Sequence, residues 1–185
     1  MTTPRRHPLI RAVSDLFIGP DATSDELLCG WGSAFLASLA QLAWALLFAD
    51  WTPLQTAVAV LFAFDIGGGV VVNATRSGRR WWHRDSVTRT QEFAFYVAHV
   101  HPFVVSWLWP EYGLGQAAVL YSSMLGFALI VVLAAPGSLK RPVAYGLTAV
   151  GIVIGATLLK APAGLLWLPL LYYMKLIAAH AVSDE

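Results

Sequence analysis

Residues 53–74 read PLQTAVAVLFAFDIGGGVVVNA, an apolar run long enough for one helix to cross a bilayer, with a single carboxylate, Asp65, near its middle. A carboxylate at that depth is costly unless it is paired, protonated or reached by water, so Asp65 marks a functional site by default. The next hydrophobic run carries two imidazoles, His99 and His101. These residues set where the polar interior of the protein lies.

The rest of the chain agrees with a membrane environment. Its residues are 57% hydrophobic and 12% charged, with a mean hydropathy of +0.62. Soluble domains average about 45–50% apolar and about 25% charged residues. No linker or repeat interrupts residues 1–185, which read as a single membrane domain. Cys29 is the only cysteine, which excludes an intrachain disulfide and multi-cysteine metal sites. P-loop, dinucleotide, Ser-elbow and His-Glu-x-x-His signatures are missing from the sequence.

Hydropathy divides the chain into six spans at about 27–49, 53–74, 92–109, 116–135, 143–159 and 162–181, each near the roughly 17–25 residues a crossing needs. The expected fold is therefore all-α, a polytopic six-transmembrane-helix bundle. Residues 1–26 form a cytoplasmic or interfacial N-terminal segment, in which Leu9, Val13, Leu16 and Phe17 share one helical face opposite Arg11, Ser14 and Asp15. Gly19-Pro20 stops that short helix. Ser24 is the expected N-cap of the first span, with Asp25 and Glu26 in its first turn. Pro53 is well placed to open the second.

Basic residues orient the bundle. With the N-terminus inside, the inner segments receive Arg5, Arg6 and Arg11, then Arg76, Arg79, Arg80, Arg84 and Arg89, then Lys140 and Arg141. The outer turns hold only Lys160, and Lys175 falls within the last span. This positive-inside pattern expects both termini in the cytoplasm, in a bacterial-type plasma membrane. Trp51, Trp107, Trp109 and Trp167 fall toward the outer interface, and Trp31, Trp81 and Trp82 toward the inner one.

Residues three or four apart share a helix face. That rule groups Asp65, Gly69 and Asn73 on the second span, with Arg76 just beyond it, and Glu92, Tyr96 and His99 on the third. Consecutive antiparallel helices should bring equal depths together, with Asp65 and His99 both roughly 12–14 Å from the inner end. The expected ladder is Asp65 with His99, Gly69 with Tyr96 and Asn73 with Glu92. Gly67, Gly68 and Gly69 either permit close helix packing or mark an unwound stretch. Pro102 adds a second irregularity just after the histidines.

Two chemistries fit these residues. Asp65, His99 and His101 are a ligand set for zinc or another transition metal. On a straight helix, however, residues two apart point roughly 200° apart, so either Pro102 distorts the turn or only His99 meets Asp65. Proton exchange between an acid and an imidazole needs less geometry. Catalytic candidates are Asp65, His99, His101, Glu92, Tyr96 and Lys175, the last able to pair with Asp65 or Glu92. Arg76, Arg79, Arg80, Trp82, His83 and Asn73 are candidates for gripping a substrate or an anionic lipid headgroup beneath the cavity. The partners expected are the lipid bilayer and a second copy of the chain, with no nucleic acid. Three functions stay open: an intramembrane enzyme acting on a lipidic or other apolar substrate, a small proton-linked transporter or channel, and an assembly subunit of a membrane complex.

Overall fold

A computed structural model describes residues 8–182. Among them the regular structure is entirely helical: α1 (Pro8–Phe17), α2 (Ser24–Phe48), α3 (Pro53–Ala74), α4 (Arg76–Trp82), α5 (Arg89–Ala98), α6 (His101–Leu108), α7 (Gly113–Leu129), α8 (Lys140–Thr157) and α9 (Trp167–Tyr173). Helix α7 follows a short 3-10 turn and continues into a π-helical stretch, Ile130–Ala134, while α9 continues into another, Met174–His180. Arg5 and Arg6 lie outside the described residues.

Three of these helical runs are by themselves long and apolar enough to cross a membrane: Ser24–Phe48, Pro53–Ala74 and Pro110–Ala134. Helix α8 (Lys140–Thr157) is unbroken but is not among them, and two of the expected spans depart from simple helices. The run at 92–109 is broken at His99–Val100, and the last helix begins only at Trp167. The exterior is apolar, with Leu28, Leu36, Leu46, Phe48, Leu61 and Trp107 all exposed. A surface of that kind suits lipid rather than water.

Local chemistry explains the helix starts. Thr23 caps α2 through a capping box: its hydroxyl accepts from the Glu26 amide at 3.2 Å, and the Glu26 carboxylate accepts from the Thr23 amide at 3.0 Å. The cap is thus one residue earlier than Ser24, because only Thr23 has Glu three positions on. Thr52 with Gln55 and Thr88 with Gln91 repeat the device at α3 and α5, and Pro53 occupies the first turn of α3 as expected. Helix α1 ends at Phe17, two residues before Gly19, whose φ of +104° suits glycine. Its Leu9, Leu16 and Phe17 are exposed, while Ser14 is buried and accepts from the Trp31 indole at 3.2 Å.

Segment 76–89 is folded rather than a loose loop. Thr75 caps α4, and Ser77 donates to Glu26 through both its amide (3.1 Å) and its hydroxyl (2.7 Å). The indoles of Trp81 and Trp82 donate to the last carbonyls of α1, Leu16 and Phe17, at 3.1 and 3.4 Å. These bonds satisfy groups a helix end leaves open.

Helix α9 and its π extension form the centre. Leu168, Tyr172, Tyr173, Lys175, Leu176 and Ile177 are all buried, and the segment packs against α3, α7 and α8. Gly67 and Gly68 do permit close packing, though toward α2: a Cβ on either would lie 2.6 Å from Ala37 or Ala34. Gly69 serves a different purpose, since its Cβ would lie 2.5 Å from Lys175 Cε. The missing methyl makes room for the lysine stem.

Candidate functional site

Asp65 meets Lys175. The ammonium donates to Asp65 Oδ2 at 2.6 Å, and His101 Nε2 stands 3.1 Å from the same oxygen. The lysine side chain is only 4% exposed, whereas the Asp65 side chain is 47% exposed. That exposure faces a cavity of about 500 Å³, walled mainly by carbon from Trp31, Leu61, Phe62, Phe64 and Phe95, with Asp65, His99, His101 and Lys175 at one side. An apolar cavity with a few convergent polar groups is the usual form of a ligand site.

The break between α5 and α6 brings the two imidazoles together. His99 leaves the helix (φ −80°, ψ +61°), and His101 restarts it with Pro102 in the first turn. The straight-helix objection therefore lapses: the rings lie 5.4 Å apart between centroids, and both line the cavity. Side chains satisfy the carbonyls around the break. Phe95 O accepts from His99 Nδ1 at 2.6 Å, Val97 O from Tyr121 at 2.8 Å, and His99 O from Tyr172 at 2.5 Å. Irregular backbone away from water needs this accounting. The carbonyl of Ala98, which Pro102 frees, accepts from the Val100 amide at 2.8 Å.

These bonds fix the tautomers. A carbonyl oxygen only accepts, so His99 Nδ1 carries its proton and Nε2 keeps a lone pair. Against the Asp65 carboxylate, His101 Nε2 donates, which leaves Nδ1 as the basic nitrogen. That Nδ1 is buried and has no hydrogen-bond partner in the described protein. The His101 ring is held edge-on to Phe62, 4.5 Å between centroids.

Compared with protein-family models, with curated proteins and with solved structures, the chain matches none.

Much of the expected ladder is replaced. Asp65 is bonded to His101, not His99, because the helix break turns His101 back toward α3. Gly69 faces Lys175 rather than Tyr96, and Asn73 donates to the Lys175 carbonyl at 3.5 Å rather than meeting Glu92. Helix α9's extension occupies the place assigned to α5. Glu92 instead pairs with His83 Nδ1 at 3.8 Å, and Tyr96 is buried beside the His180 ring at 5.4 Å. Neither belongs to the Asp65 cluster.

Nor do the arginines grip the cavity. Trp82 and Asn73 line it, but Arg76, Arg79 and Arg80 do not. Arg76 and Arg80 are exposed, and His83 is turned away, its Nε2 donating to His180 O at 2.8 Å. Arg84 lies over the Trp81 ring at 3.8 Å. Among the described residues no group of three His, Cys, Asp or Glu side chains is arranged to hold a metal ion. The ammonium of Lys175 already occupies the carboxylate that a metal would need. Zinc therefore does not fit the donor set.

Two contributors escaped the sequence reading. Phe62 fixes His101, and Phe95 stacks on the His180 ring at 3.8 Å while also touching His99. Spacing offered one signal: Phe62 precedes Asp65 by three and so lies on its face.

Proposed function

We propose that this chain is a six-crossing membrane protein with both termini in the cytoplasm, and that its cavity admits a lipidic molecule for general acid–base chemistry. Hydropathy and the inner clustering of basic residues support the crossings and their orientation. The observation that carries the chemistry is convergence: one carboxylate bonded to an ammonium and an imidazole, at the side of a largely apolar cavity. Leu61, on the cavity wall, is also exposed at the exterior, which supports entry from the bilayer.

Each residue then has a role. Asp65 holds the His101 ring and its tautomer in place, and because the free His101 Nδ1 is buried the proton acceptor is the Nε2 lone pair of His99. Lys175 pairs with the Asp65 carboxylate and can donate to an oxygen on the substrate's polar end. The Nε2 lone pair of His99 accepts a hydrogen bond from that end. The aromatic walls hold the apolar remainder and exclude water.

The test is turnover. Purified chain in nanodiscs, incubated with a total membrane lipid extract, should yield a lipid of altered mass. His99→Ala should lower that conversion by about 10²–10⁴-fold, as expected for loss of a positioned general base, and Asp65→Asn should lower it as well. Unaltered lipids would remove the enzymatic reading.

A proton-linked carrier is the second reading, favoured by one observation: the Asp65–Lys175 pair joins two different helices inside the apolar region. Solute flux in proteoliposomes that depends on a pH gradient and disappears in Asp65→Asn would establish it over catalysis.

A further inference from the structure

A second, polar hollow of about 220 Å³ lies beyond Trp82, which separates it from the Asp65 cavity. We propose that this hollow, lined by His83, Arg89, Glu92 and Lys140, binds the phosphate group of a phosphorylated ligand. The proposal does not depend on acid–base chemistry at Asp65.

Charge balance is the first support. Arg89 and Lys140 come from helices far apart in sequence, and neither has an ion-pair or hydrogen-bond partner for its side chain among the described residues. The one carboxylate among the lining residues is Glu92, whose Oε1 lies 3.8 Å from His83 Nδ1. Arg89 and Lys140 thus place two cations beside one acid. The His83 ring is held in place through its bond to the His180 carbonyl.

Helix polarity is the second. Arg89 is the first residue of α5 and Lys140 the first of α8. Cations are the wrong sign for the positive end of a helix, and α8 has no side-chain cap there. An anion between them turns both unfavourable placements favourable. A guanidinium offers a fork of donors and an ammonium a point charge, the pair of groups that holds phosphate oxygens.

Phosphate can reach this hollow on a lipid headgroup or as a soluble compound. The test uses lipid-depleted full-length chain in neutral detergent, titrated calorimetrically with inorganic phosphate and with a short-chain phosphatidic acid. Saturable binding of at least one probe is expected, weakened at least tenfold in Arg89→Gln/Lys140→Gln. The exposed pair Arg76→Gln/Arg80→Gln should change it less than twofold. Tenfold tighter binding of the phosphatidic acid assigns the site to a lipid headgroup, whereas equal binding assigns it to a soluble phosphate. No saturable binding, or equal weakening by both double variants, overturns the proposal. Should the double variant lose its gel-filtration profile, Arg89→Gln alone carries the comparison, since Arg89 is exposed and its replacement removes no internal bond.

Discussion

Lys175 shows how one buried charge organises its surroundings. Its stem needs Gly69, its ammonium needs Asp65, and its carbonyl takes the Asn73 amide. Asp65→Asn leaves that ammonium without a counter-charge. Breaking a buried pair costs about 3–5 kcal/mol, and the lower end, about 3 kcal/mol, is expected because Asp65 is half open to its cavity. Asp65→Asn/Lys175→Met removes both charges and should recover most of the loss. Denaturant titration in mixed micelles measures both, and a double variant no more stable than the single one would show that charge pairing is not what holds the lysine. Asp65 was legible in the sequence because a lone acid in an apolar run has few explanations. Lys175 was legible as one of its possible partners. The choice between His99 and His101 was not, since ideal helix geometry favours His99 and only the break reverses it.

Breaks and close approaches decide the behaviour of whole elements. The α5–α6 break is held by hydroxyls from other helices, above all Tyr172 on His99 O. Tyr172→Phe leaves that carbonyl without its donor and should cost about 1–3 kcal/mol, read from the shift in unfolding midpoint. The α2–α3 hairpin gives a second contrast. Gly68→Ala drives a methyl into Ala34 and should destabilise by about 1–3 kcal/mol. Gly32→Ala meets nothing within 4 Å and should gain up to about 1 kcal/mol from helix propensity, so the two substitutions should move thermal stability in opposite directions. Helix starts were largely readable, because threonine followed three residues later by Glu or Gln is a local signal. The π-helical stretches were not, because no local sequence signal marks them.

At the scale of the whole molecule, the ladder between α3 and α5 fails for a topological reason. Sequence neighbours were expected to pack together, yet α9 and its extension lie between them and take the contacts. No count of depth along two helices reveals a third inserted later in the chain. The proposed six crossings have a direct check. In a Cys29→Ser background, single cysteines at Trp51, Glu111 and Ala163 should react with an impermeant thiol reagent from outside intact cells. Cysteines at Ser86 and Ser138 should react only after lysis. Labelling of all five from one side would reduce the bundle to fewer crossings. The separation of 110 residues between Asp65 and its lysine also has a consequence for biosynthesis. Until the ribosome has made Lys175, Asp65 has no cation to pair with, so in an apolar setting its carboxyl has to be protonated or stay hydrated. Translation of α9 and its extension supplies that cation.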